Sequence, residues 1–207
     1  MSQTHSRREV LLGGAGALWL AGCSAAVQAQ ARSASPAARK LIEAARRQIG
    51  VTLAYDPGYT QLAYPGGDVP RGKGVCTDVV VRAYRDALAI DLQREVHQDM
   101  VAHFTAYPQT WGLKRADANI DHRRVPNLAA FWVRSSARLA FPKRAGDWQP
   151  GDLFTMLIDK QHPHTGIISD RVASNGNPMV IHNIGQGTHE QDWLFAWPLT
   201  GRFRWRV

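Results

Sequence analysis

Gly72-Lys73-Gly74-Val75-Cys76-Thr77-Asp78-Val79-Val80-Val81-Arg82-Ala83-Tyr84 sets a cysteine where a glycine-rich loop gives way to a helix. Small or apolar residues at 76, 79, 80, 83 and 87 recur at helical spacing, so the stretch predicts a half-buried helix with one face turned to a core. Cys76 falls in its first turn. There the unpaired backbone N–H groups and the positive end of the helix dipole favour a thiolate, drawing the thiol below its ordinary pKa of about 8.5. A thiolate so placed is a nucleophile. The plainer reading makes Cys76 a small buried hydrophobe, as most free cysteines are.

Upstream, Ser35-Pro36 reads as an N-cap followed by proline at the first helical position, and Leu41, Ile42, Ala45 and Ile49 form a helical stripe that Gly50 ends. Residues 51 to 75 form an irregular loop, through Tyr64-Pro65-Gly66-Gly67, suited to one wall of a cleft. Downstream, Leu92, Val96, Met100 and Phe104 predict a further helix, on which His97 and His103 read as surface or half-buried residues. Leu128 to Leu139 predicts another helix. From Trp148 the texture changes. Leu153 to Ile158, Thr165 to Ser169 and Met179 to Ile184 read as strands, and Arg202 to Val207 alternates like an edge strand. Helices first and a small antiparallel sheet afterwards is an α+β pattern.

Two of these strands carry histidines. His164 begins one and His182 lies in the next, and neighbouring antiparallel strands set such residues side by side. A thiol nucleophile needs a base within hydrogen-bond reach and a third polar group that orients it. His164 facing Cys76, with His182 behind it, fills both roles; each histidine alone is as readily a structural residue. Between helices and sheet, residues 107 to 128 hold the polar run Asn119-Ile120-Asp121-His122-Arg123-Arg124-Val125-Pro126-Asn127. Asp121 and His122 either meet substrate or satisfy one another's backbone in a hydrogen-bonded loop.

Hydrophobic residues make up 44% of the chain and charged residues 20%, which is ordinary for a globular protein and argues against disorder. The formal net charge of +8 points to anionic surroundings. The basic residues are scattered, without a lysine and arginine block or a base-stacking signature, so nucleic acid is not expected as a partner. Residues 1 to 31 read as an export leader, and 32 to 207 as a single domain. Ser6-Arg7-Arg8-Glu9-Val10-Leu11 resembles a twin-arginine signal, followed by a short apolar run. Leu20-Ala21-Gly22-Cys23 resembles a lipobox, which implies lipidation at Cys23 and anchoring on the periplasmic side of a membrane; cleavage after Ala29-Gln30-Ala31 is the alternative. With Cys23 lipidated or removed, Cys76, the other of the two cysteines, has no partner in the chain.

The order of Cys76 at a helix start, Gln149-Pro150-Gly151-Asp152-Leu153, His164-Thr165-Gly166-Ile167-Ile168 and Val180-Ile181-His182 resembles the NlpC-type cell-wall peptidases of the papain-like superfamily. Gly74-Val75-Cys76-Thr77-Asp78, the 119–127 run and Ile181-His182-Asn183-Ile184-Gly185 look like an exported bacterial family known only as a domain of unknown function. The resemblance spans about residues 36 to 207. It implies a papain-like α+β fold with the nucleophile helix packed on the sheet. It implies Cys76 as nucleophile, His164 as general base and later acid, and His182 as the orienting member. Tyr64 matches a tyrosine that lines the site in those relatives, and Asp78, Asp121, His122 and Asn183, within the matching motifs, are expected beside it at the substrate. The chain departs from the NlpC pattern at Val75, Thr77 and Asp78, where those enzymes usually carry aspartate before the cysteine and serine and glycine after it. Residues 107 to 128 are also foreign to it and point to a different specificity.

The expectation is an exported cysteine hydrolase that cleaves an amide in peptidoglycan peptides without a cofactor. A catalytically silent envelope-binding module of the same fold is the rival. A zinc site on one cysteine and two histidines is a third reading, without H-E-x-x-H or C-x-x-C spacing to support it.

Overall fold

The computed structural model describes residues 32–207. The twin-arginine-like signal, the lipobox at Cys23 and the cleavage site before Arg32 lie outside the described residues. Helix α1, Pro36–Arg46, starts as its sequence predicts: Ser35 Oγ accepts the Ala38 N–H at 3.0 Å, with Pro36 at the first helical position. Leu41, Ile42, Ala44 and Ala45 are buried, whereas Ile49 lies past the helix end and is exposed. Gly50, at φ +77°, turns the chain away, a conformation open to glycine.

The following loop holds two two-residue strands, β1 (Ala54–Tyr55) and β2 (Lys73–Gly74), paired in parallel so that Tyr55 lies opposite Gly74. Arg82 fastens the loop to the body of the fold. Its fully buried guanidinium reaches Asp68 at 2.9 Å, Thr52 Oγ1 at 3.1 Å, and the carbonyls of Val69 and Lys73 at 3.0 Å. A buried charge persists only with such complete pairing.

Helix α2, Cys76–Leu88, begins at the cysteine. It is not one-faced: every residue from Cys76 to Tyr84 is buried, because the helix lies between α1 and the sheet. Val79, Val80 and Val81, consecutive in sequence, therefore all find apolar neighbours. Helix α3, Leu92–Ala102, is capped by Asp91. Helix α4 is Val125–Arg134, starting ahead of the predicted 128 and ending short of 139, since Ser136 takes φ +56° and the chain enters β3, Arg138–Leu139.

Strands β4 (Leu153–Ile158), β5 (His162–Val172), β6 (Pro178–Asn183), β7 (Thr188–Gln191) and β8 (Leu199–Phe203) complete an antiparallel sheet of order β3-β8-β4-β5-β6-β7. The predicted edge strand at 202–207 is corrected: β8 ends at Phe203 and runs inside the sheet, between β3 and β4. Its arginines mislead because Arg202 and Arg204 turn onto the two oxygens of buried Asp152, at 2.8 and 2.7 Å, rather than into solvent. Strand β7 was not anticipated.

Leu153, Ile167, Ile181 and Phe203 meet the helices, while Phe154, Met156, Ile168 and Val180 form a second cluster with Trp148 and Leu194. Both faces are covered, which is why β4 reads as a continuous apolar run. With α2 packed on β5 and β6, the architecture is the expected α+β arrangement. Among the described residues, no helix is long and apolar enough to cross a membrane.

Candidate functional site

Cys76 lies at the floor of a cleft of about 450 Å³, walled by Tyr55, Pro57, Tyr59, Trp111, Pro163 and residues 120 and 123 to 126. The loop-to-helix transition is held by Asp78, whose Oδ2 accepts the Val75 N–H at 2.7 Å and the Arg123 guanidinium at 3.0 Å. Arg123 in turn donates to the carbonyls of Gly58 and Asp56, both at 3.0 Å, and the Thr77 hydroxyl donates to the Arg123 carbonyl. Asn183, directly after His182, donates to the Gly74 carbonyl at 3.0 Å. Gly74 is required by close approach: a Cβ there would sit 3.0 Å from Asp78 Oδ2 and 3.1 Å from the Arg82 guanidinium.

The thiol is 2% exposed. The backbone N–H groups of Thr165 and Thr77 and the Tyr55 hydroxyl address the sulfur, each favouring the thiolate. Burial outweighs them and, with the carboxylate of Asp78 nearby, pushes the thiol up to about 11. The helix start therefore does not produce a resting thiolate, contrary to the expectation from sequence.

His164 and His182 do meet. His164 Nε2 lies 2.7 Å from His182 Nδ1, and His182 Nε2 lies 2.9 Å from the Gln191 amide, a chain of three side chains across β5, β6 and β7. By strand alternation His164 shares its sheet face with Phe154 and Met156, and Trp193 packs 5.7 Å from the His182 ring. This apolar enclosure lowers His164 to about 3 and His182 to about 4, so both imidazoles rest neutral. No hydrogen bond joins His164 to Cys76. The sulfur meets β5 at Thr165, and Pro163 lines the cysteine cleft. Strand alternation turns His164, between them, to the other face of the sheet, with Phe154 and Met156 and away from α2. The expected facing of His164 onto Cys76, with His182 behind it, is corrected. Gly166 lets the pair form, since a Cβ there would lie 2.9 Å from both His182 Cβ and the Phe154 ring.

The residues expected at the substrate are placed differently. Tyr64 is exposed but stacks edge-on against His97 and does not line the cysteine cleft; Tyr55 takes that place because β1 runs beside Gly74. Asp78 and Asn183 are buried and hold the loop before Cys76. Asp121 is buried, accepts the Asp117 N–H at 2.8 Å and pairs with His97 at 3.0 Å. His122 is buried and pushed down to about 3 by desolvation and the neighbouring Arg123. The 119–127 run is not self-satisfied: Asp121 and Arg123 are held by His97, Asp117, Asp78 and the carbonyls of Asp56 and Gly58, all outside it. One side-chain atom each of Asp121, His122, Arg124 and Asn127 is buried without a hydrogen-bond partner, while Ile120, Arg123, Arg124, Val125 and Pro126 form a cleft wall. Gln191 went unnoticed, although Gly185-Gln186-Gly187 before it signals the turn that returns β7 beside His182.

Among the described residues no three histidine, cysteine or acidic side chains converge as a metal-ligand set. The uncharacterized protein YijF of Escherichia coli (strain K12) is 50% identical over 167 residues, 81% of each chain. The solved NlpC1 of Trichomonas vaginalis is similar with a TM-score of 0.44 and 16% identity, over 85% of this chain and 46% of that one, so the chain spans under half its length. The family model described as Domain of unknown function (DUF1287) matches residues 42–205, and the chain belongs to that family.

Proposed function

We propose that this chain is an exported cysteine hydrolase that cleaves an amide bond in the peptide part of peptidoglycan. It would act on the periplasmic side, held to a membrane by a lipid on Cys23, and needs no cofactor. The observation that carries this reading is the placement of Cys76. A free thiol opens α2 at the floor of a cleft, with backbone N–H groups at its sulfur.

The thiol rests neutral, so its proton leaves as the sulfur attacks. The His164–His182 pair stands on the other face of the sheet, so that proton passes to water in the cleft rather than to an imidazole. Sγ forms its bond to the carbonyl carbon while helix-start N–H groups hold the oxyanion. The leaving amine takes a proton from cleft water, and a further water releases the acyl group and returns a proton to Sγ.

The test is release of new amines from purified peptidoglycan fragments, with intact-mass trapping of an acyl group on the protein. The wild-type chain is expected to turn over and carry the adduct on Cys76, and Cys76→Ala to lose at least about a thousandfold in rate with its fold unchanged. Turnover that survives Cys76→Ala ends the proposal.

The enclosure of the thiol and its raised pKa favour a second reading, a silent module that binds wall peptides. Binding without any adduct on Cys76 would select it.

A further inference from the structure

The cleft wall supplied by the 119–127 run holds one arginine that forms no ion pair among the described residues, with Asp117 and Asp121 acting on it only from beyond contact distance. Arg123 is spent on Asp78. Its neighbour Arg124 also lines the cleft, yet among the described residues no acidic side chain lies within ion-pair distance of it and none lines the cleft. One terminal nitrogen of Arg124 is enclosed without any hydrogen-bond partner. Its guanidinium lies 4.0 Å from the centre of the Trp111 ring, which also lines the cleft, and burial disfavours the charged form. An arginine stacked on an aromatic ring keeps its planar fork in one orientation while its edge stays open to a planar, bidentate anion.

We infer that Arg124, braced on Trp111, is the anchor for a carboxylate of the ligand that enters the Cys76 cleft, so that the substrate is a peptide with a free carboxylate close to the bond addressed by the thiol. The inference rests on the Cys76 cleft being the substrate site and deepens that reading by naming what is recognised. The cleft is otherwise lined in large part by Tyr55, Pro57, Tyr59 and Pro163, which suits the uncharged body of such a peptide. It also accounts for the arginine pair in the 119–127 run: Arg123 builds the wall, and Arg124 reads the ligand.

The test uses the full chain carrying Cys76→Ala, so that no turnover intervenes, with N-acetyl-dialanine and its C-terminal carboxamide as probes. Binding is followed at the Trp111 indole N–H by NMR, the signal assigned with Trp111→Phe. The acid is expected to bind at least about tenfold more tightly than the amide and to move the Trp111 signal. The preference is expected to vanish in Arg124→Gln and to return in part in Arg124→Lys. Equal binding of acid and amide, an unmoved Trp111 signal, or a preference that persists in Arg124→Gln overturns the inference. Failure of the hydrolase reading is recognised separately, by the absence of an adduct on Cys76 in the wild-type chain.

Discussion

Around Cys76 the chain is held by buried ion pairs, Asp78 with Arg123 and Arg82 with Asp68, whereas around His164 and His182 it is held by apolar packing and hydrogen bonds between neutral rings. The loop on the cysteine side has little regular structure, so side-chain charges replace the ladder that β5, β6 and β7 have on the histidine side. The difference explains why neither reactive group rests ionised. Arg123, the cation beside the helix start, is already matched to Asp78, and Asp78 lies close enough to the thiol to oppose a second negative charge. The rings of Phe154 and Trp193 give a histidine charge no partner.

The strongest way to break the contrast is acid. His122, His164 and His182 fold with pKa values lowered from 6.5 to about 3, 3 and 4. Each therefore contributes stability that is whole above the unfolded value and is lost as pH falls towards the folded one. Each proton bound only by the unfolded chain costs about 1.4 kcal/mol per pH unit, so denaturant midpoints should drop steeply below pH 6 and unfolding should be complete before pH 4. At the other end the thiol, raised from 9.0 to about 11, contributes stability that is lost as pH rises above 9. A flat midpoint between pH 7 and 4 would show that the histidine side is open to water.

Next in size is Asp78→Ala. It leaves the Arg123 guanidinium, 2% exposed, without its carboxylate and removes the acceptor for the Val75 N–H. A loss of about 3 kcal/mol in urea unfolding is expected, with Asp78→Asn intermediate because it keeps an acceptor. If Asp78→Ala unfolds like wild type, charge pairing is not what secures the cysteine side.

The smallest effect sharpens the histidine side. Gln191→Ala should cost about 1 kcal/mol in urea unfolding, through loss of its hydrogen bond to buried His182, and leave the labelling rate of Cys76 unchanged, since the pair lies across the sheet from the thiol. Stability equal to wild type would show that the contact holds nothing in place.

What could be read from the residues in order was whatever rests on local spacing. The start of α1 at Ser35-Pro36, the opening of α2 at Cys76, the span of β4 and the pairing of His164 with His182 all follow from periodicity, capping chemistry and strand alternation within a few residues. Tyr55 rather than Tyr64 at the sulfur depends on a parallel pairing of segments about twenty residues apart, and Gln191 depends on the return of β7. Neither pairing leaves a local signature in strands so short. Asp78, Asp121 and His122 looked like ligand-binding groups because polarity in sequence does not say whether a side chain faces water or another side chain. The protonation of the site lay furthest from the sequence. A helix start raises the affinity of Cys76 for negative charge by an amount the sequence suggests, but burial opposes it by an amount only the packed structure decides, and here burial is the larger.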